Sequence, residues 1–204
     1  MPTKLIFITG IGTGIGKTIV SAVLVEKLKA DYWKPIQSGD LDSSDTLAVQ
    51  NLVTNTKSVF HPEACRLTQP FSPHKSAAID GITIDPEKIV APVTDNILVI
   101  EGAGGLMVPL NDDFLMIDLI RQLGAEVILV SQNYLGSINH TLLSVYTLKK
   151  EQISVKGIIF NGIKDDSSET YIRNYSKLEI LGYIPQFEAV DNKTIIAAGR
   201  YLNI

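Results

Sequence analysis

Short apolar runs alternate with helix-spaced stretches along most of this chain. Leu5–Thr9, Ile97–Ile100, Glu126–Val130, Lys156–Phe160 and Ile180–Ile184 read as strands. Their near-continuous hydrophobicity is what strands show when both sheet faces are covered. Lys17–Lys29 carries Val20, Val23, Leu24 and Leu28 at helical spacing. Phe114–Leu123, a stretch through Leu142, Leu143 and Leu148, and Tyr171–Leu178 read as further helices. Alternation of this kind predicts an α/β fold, a mostly parallel sheet with helices on both faces. The stretch Phe60–Pro92 breaks the pattern. It holds Pro62, Pro70, Pro73 and Pro86 without a sustained period, and reads as an irregular excursion suited to lining a site. No repeat or linker divides the chain, so residues 1–204 read as one domain.

Composition narrows the class. The chain has 204 residues, 45% hydrophobic and 20% charged, which suits a globular protein and not a disordered one. Its net charge is -4 and it has no basic run, so it lacks the electrostatic footprint of a nucleic-acid binder. Any anion must be held by local geometry. Cys65 is the one cysteine, which rules out an intrachain disulfide and favours a reducing compartment; it reads as a small buried or half-buried side chain. There is no signal-peptide pattern and no apolar run of bilayer length. The expected setting is the cytoplasm, with no membrane partner.

The first predicted strand runs into GIGTGIGKTI, Gly10–Ile19. A dinucleotide fingerprint, G-x-G-x-x-G, fails here. It would need glycine where the chain has Ile15 or, in the other register, Lys17. The phosphate-loop pattern G-x-x-x-x-G-K-[ST] needs glycine at Ile11, and Gly10 stands one residue earlier. The loop is therefore one residue longer than the standard form, with its chemistry intact. Glycines let successive amides face an anion, and the helix starting near Gly16 adds its positive end. Lys17 can reach the outer phosphates, and the Thr18 hydroxyl can ligate Mg2+.

A magnesium ion held against phosphates needs further oxygen ligands. Glu101 follows ILVI and precedes Gly102-Ala103-Gly104-Gly105, at the expected carboxyl end of a strand. Asp40, Asp42 and Asp45 lie together in a polar loop before Leu47–Val53, and residue chemistry alone does not choose among them. Lys34 precedes Pro35, so its backbone is extended, and a lysine there could stabilise a transferring phosphoryl group.

The ordered set of KPIQSG, SSDT, SPHKSA, IEGAGGLMVPL, LGSINH, FNG and GYIP, with the long loop, resembles the dethiobiotin synthetase family. The resemblance implies a P-loop NTPase-like three-layer domain and an ATP-dependent, Mg2+-dependent ligase. The implied reaction joins 7,8-diaminononanoate and CO2 at the expense of ATP, giving dethiobiotin, ADP and phosphate. It implies Thr18, Asp45 and Glu101 as metal ligands, Lys17 and Lys34 as catalytic lysines, and Ser38 as a substrate contact. Gly14, Ile15, Gly16, Lys17, Thr18 and Ile19, with Asp45 and Glu101–Gly104 (Gly102 and Ala103 between), would hold the nucleotide. Asn161 and Gly162 would read the base, and Pro185, Gln186 and Phe187 would line it. LGSINH, with Ser137 and Asn139, corresponds to a homodimer interface near the substrate's carboxylate tail. The family loop commonly carries acids where this chain has Gly12 and Gly14, so only backbone donors are expected there.

The remaining polar and soft residues read as structural. His74 and His140 are expected to bond or pack as neutral rings, His61 to stand alone, and Met107 and Met116 to fill core or loop. Partitioning ATPases normally carry a second lysine early in the loop, where this chain has Ile11–Ile15. Corrin amidotransferase-type synthetases usually carry a glutaminase domain, for which this chain has no room.

Overall fold

A computed structural model describes residues 4–204. In chain order the elements are β1 (Leu5–Gly10), α1 (Lys17–Leu28), β2 (Asp31–Trp33), β3 (Ile36–Ser38), α2 (Asp45–Leu52), β4 (Phe60–His61), β5 (Cys65–Leu67) and α3 (Pro73–Ile79). They continue with β6 (Leu98–Gly105), α4 (Met116–Leu123), β7 (Glu126–Ser131), α5 (Ser137–Lys150), β8 (Val155–Gly162), α6 (Asp166–Ser176), β9 (Ile180–Pro185) and α7 (Asn192–Ala198). The main sheet is seven-stranded and parallel throughout, ordered β4-β2-β6-β1-β7-β8-β9. β3 and β5 make a separate parallel pair. Among the described residues no helix is long and apolar enough to cross a membrane.

The unbroken apolar strands have the expected cause. Ile6 and Ile8 pack with α1 and α7 on one face, and Phe7 packs with α4 on the other. A strand buried on both sides cannot show polar alternation. Successive strands leave β1 toward opposite edges of the sheet. This opens a crevice beyond its carboxyl end, where open parallel sheets bind ligands.

Several boundaries differ from the sequence reading. β6 does not stop at Ile100 but continues through Glu101 to Gly105. Ile8 pairs with Glu101 and Gly10 with Gly105, so β6 bulges outward between those two pairs. Gly104 takes φ +67 there, a conformation that favours glycine. α6 begins at Asp166, ahead of its apolar residues, because Asp165 caps the Ser167 and Ser168 amides. It ends at Ser176, before left-handed Lys177, so Leu178 falls outside the helix. The excursion is less irregular than its prolines suggest, holding β4, β5 and α3. Strands of two or three residues carry no readable period.

Candidate active site

α1 starts without a side-chain cap. Gly16, the residue before it, has φ 88, and its amide end opens at the carboxyl edge of β1. A Cβ at Gly16 would fall 2.1 Å from Asn161 Nδ2, which donates to the Ile15 carbonyl at 3.0 Å. The end of β8 thus braces the loop. Lys17 Nζ donates to the loop's own Gly12 carbonyl at 2.9 Å. Burial pulls its ammonium down to about 8, against Glu101, which pushes it up, and with the neighbouring Lys34.

Beside the loop, four polar side chains converge, three from α1, α2 and β6 and one from the segment after β2. Thr18 Oγ1, in the first turn of α1, lies 2.9 Å from Asp45 Oδ1 and 2.9 Å from Glu101 Oε1. Lys34, just past β2, contacts Asp45 Oδ2 and lies 3.3 Å from Glu101 Oε1. Burial opposes the Lys34 charge, but Glu101 and Asp45 outweigh it and hold its pKa above the usual lysine range. Burial likewise disfavours the Asp45 carboxylate, yet Lys34 and Thr18 bring its pKa below the ordinary value.

α2 explains which acid of the polar loop arrives. Ser44 caps that helix and Asp45 occupies its first turn, with the Asp45 amide donating to Gln37 Oε1 at 3.3 Å. Glu63 from the excursion accepts from Thr46 at 2.6 Å and Ser44 at 3.3 Å, fixing the start of the helix. Asp40 lies at the cavity wall and Asp42 is exposed.

The donor set fits magnesium. One Thr18 hydroxyl proton faces two carboxylate oxygens at equal distance, so one contact has no proton to share. Surplus anionic oxygen of this kind suits a hard divalent cation. Among the described residues no three His, Cys, Asp or Glu side chains converge. A metal here would rest on two carboxylates and a hydroxyl, with phosphate oxygens completing its shell.

A cavity of about 660 Å³ opens over this cluster. Of the residues singled out from sequence, Gly14, Gly16, Lys17, Thr18, Ile19, Lys34, Ser38, Asp45, Glu101, Ala103 and Gly104 line it. Ser38 Oγ is buried at its wall without a partner. Ile15 packs into the core, so only its backbone faces the loop. Gly102 lies in the β6 bulge against Phe7. Asn161 and Gly162 pair with Ile184 and Pro185 at the ends of β8 and β9, outside the cavity wall. Gln186 follows β9, and Phe187 packs on the α1-side core. Ser137 and Asn139, in the first turn of α5, are not among the lining residues.

Thr13, Ile36, Gln37, Val108 and the segment Pro70–Pro73 complete the wall, and none of them was assigned a site role from the sequence residue by residue. The last of these lies in the proline-rich excursion, whose expected place was at a site wall. His61 does not stand alone: its Nε2 lies 3.6 Å from Asp31. His140 bonds the Tyr134 hydroxyl at 2.8 Å, and Met116 is buried in the core, whereas Met107 is 62% exposed. Cys65 is half-buried, and burial raises its thiol pKa.

The AAA domain family profile matches residues 4–194. The ATP-dependent dethiobiotin synthetase BioD of Christiangramia forsetii is 52% identical over 94% of this chain and 92% of its own length. That of Cytophaga hutchinsonii is 47% identical over 95% and 94%, and that of Paramagnetospirillum magneticum 40% over 93% and 92%. Among solved structures, a ParA family ATPase from Chlorobium tepidum superposes with TM-score 0.61 at 14% identity, covering 98% of this chain and 100% of the other. The cell division ATPase MinD of Pyrococcus furiosus gives 0.62 at 14% identity, covering 97% of each. At such identities these two establish the fold alone.

Proposed function

The chain belongs to the ATP-dependent dethiobiotin synthetase family, and on that premise we propose that it closes the cyclic urea of dethiobiotin from 7,8-diaminononanoate, CO2 and MgATP. The supporting observation is the convergence of Thr18, Asp45, Glu101 and Lys34 beside an amide-lined phosphate loop. A substrate amine captures CO2 as a carbamate. A carbamate oxygen attacks the γ-phosphorus, the bond to the β–γ bridging oxygen breaks, and ADP leaves. The second amine then attacks the carbamate carbon and loses its proton, phosphate departs, and the ring closes.

No protein nucleophile is required in this scheme. The difficulty is electrostatic, since an anionic carbamate must approach an anionic phosphate. The loop amides and the α1 N-terminus hold the phosphates in line. Lys17 leaves the Gly12 carbonyl for the stronger anionic acceptor, and Lys34 offsets charge as the phosphoryl group transfers. Magnesium held by Thr18, Asp45 and Glu101 would neutralise charge on the outer phosphates. Ser38, unpartnered at the wall, offers the substrate a hydrogen bond. We assign Asn161, Gly162 and Pro185–Phe187 to the base side, and Ser137 and Asn139 to a cytoplasmic homodimer in which α5 of a second copy meets the substrate tail. Exposed Leu135, Leu143 and Tyr146 around the start and middle of α5 support that interface.

The test is phosphate release from MgATP with and without bicarbonate and the diamine. Release that requires both supports the ligase. Steady release without either, or no release under any condition, overturns it.

A further inference from the structure

A phenol stands among apolar neighbours on β2. Tyr32 is fully buried in the cluster formed with Ile8, Val99 and α1. A buried hydroxyl costs stability unless it is bonded, and phenylalanine would fill the same space without that cost. Here the hydroxyl donates to Glu101 Oε2 at 3.0 Å.

The register explains the reach. Tyr32 pairs with Val99 across the parallel β2–β6 ladder, and Glu101 lies two residues further along β6 on the same face. Lys34, two residues beyond Tyr32, carries that face to the cavity. The ring is held as well, since its backbone pairs with β4 and its face tilts against Phe60, with centroids 6.1 Å apart.

We propose that Tyr32 is a positioning residue for the metal-side carboxylate, holding Glu101 Oε2 so that Oε1 stays turned toward Thr18 and Lys34. Glu101 is 1% exposed, so no bulk water replaces the phenol if it is removed. With Oε2 occupied, the carboxylate has one orientation. Without the phenol it is free to rotate, and its outer oxygen is no longer fixed.

This inference rests on the reading of Thr18, Asp45 and Glu101 as the magnesium site, and the test separates the two. ADP binding is measured by calorimetry with and without Mg2+, in the full-length protein and in Tyr32→Phe. The wild type is expected to bind ADP more tightly with Mg2+. In Tyr32→Phe that enhancement should fall about tenfold, as expected for loss of a hydrogen bond to a charged group, while metal-free ADP affinity stays the same. Equal loss of affinity with and without metal would make Tyr32 a packing residue and overturn the inference. An unchanged enhancement would overturn it too. No enhancement in the wild type would instead overturn the metal-site reading, and this one with it. Glu101→Gln provides a background with no stranded charge should the single variant fold poorly. There, adding Tyr32→Phe should leave metal-free ADP affinity unaltered, and a drop would overturn the proposal.

Discussion

The acids at the two ends of β2 are satisfied in different ways. At its start, Asp31 accepts from the Val59 amide at 2.9 Å, Thr94 Oγ1 at 2.6 Å and Asn96 Nδ2 at 3.1 Å. Each donor is a fixed neighbour with a proton to give. Beyond its end, Tyr32 donates to Glu101 alone, Asp45 and Glu101 share one Thr18 hydroxyl and one Lys34 ammonium, and the charges face an open cavity. The first arrangement ties the β2 start to the segments before β4 and β6. The second is short of protons and can exchange partners. Counting donors against acceptors thus separates a carboxylate that holds the fold from a pair with acceptor capacity left over, which the proposed magnesium site would use.

The contrast is tested most severely at Lys34. Lys34→Ala should lower turnover by about 10²–10³-fold, because its charge matters most as the phosphoryl group transfers. ADP affinity should stay nearly unchanged by calorimetry. Unaltered turnover at saturating substrates would remove Lys34 from the mechanism.

At the other end, Asp31→Asn should cost about 1–3 kcal/mol of stability at neutral pH and leave substrate KM values alone. Burial disfavours the Asp31 charge, but its donors win and hold its pKa below the ordinary value. The stability this supplies is present above the unfolded pKa and is lost as pH falls through the folded one. Urea melts should therefore show wild type and Asp31→Asn drawing together below about pH 4. A constant gap there would mean that Asp31 contributes shape and not charge.

The smallest effect concerns Lys17. With its pKa near 8 in the free protein, the ammonium that phosphates need is lost as pH rises past that value. ADP affinity should then fall, by at most about tenfold per pH unit, and binding should take up a proton. Titrations in buffers of different ionisation enthalpy measure that uptake. Affinity that stays flat well above that pH would show that the loop amides alone hold the phosphates.

Much of the fold was legible because its signals are local. The apolar runs at Leu5–Thr9 and Glu126–Val130 declare buried strands, and Gly16-Lys17-Thr18 marks where a glycine-rich loop turns into a helix. β2 and β3 span three residues each, too few for a period, and α6 opens with a polar turn. The β6 bulge was invisible because glycines such as Gly104 look the same in a turn and in a bent strand. In the site, residue chemistry left Asp40, Asp42 and Asp45 level. Resemblance favoured Asp45, and the Ser44 cap explains why that acid reaches Thr18.

The sequence by itself determined the alternation of buried strands and helices, the long amide-rich loop, and the residue types able to hold a phosphate and a hard cation. These are encoded in contiguous residues and their spacing. Only the tertiary structure decided which acids meet: Thr18 and Glu101 are 83 residues apart in the chain, and Tyr32 and Glu101 are 69 apart. Parallel pairing of β2 and β1 on either side of β6 brings them onto one face. No local pattern encodes that register, because it is set by packing across the whole sheet.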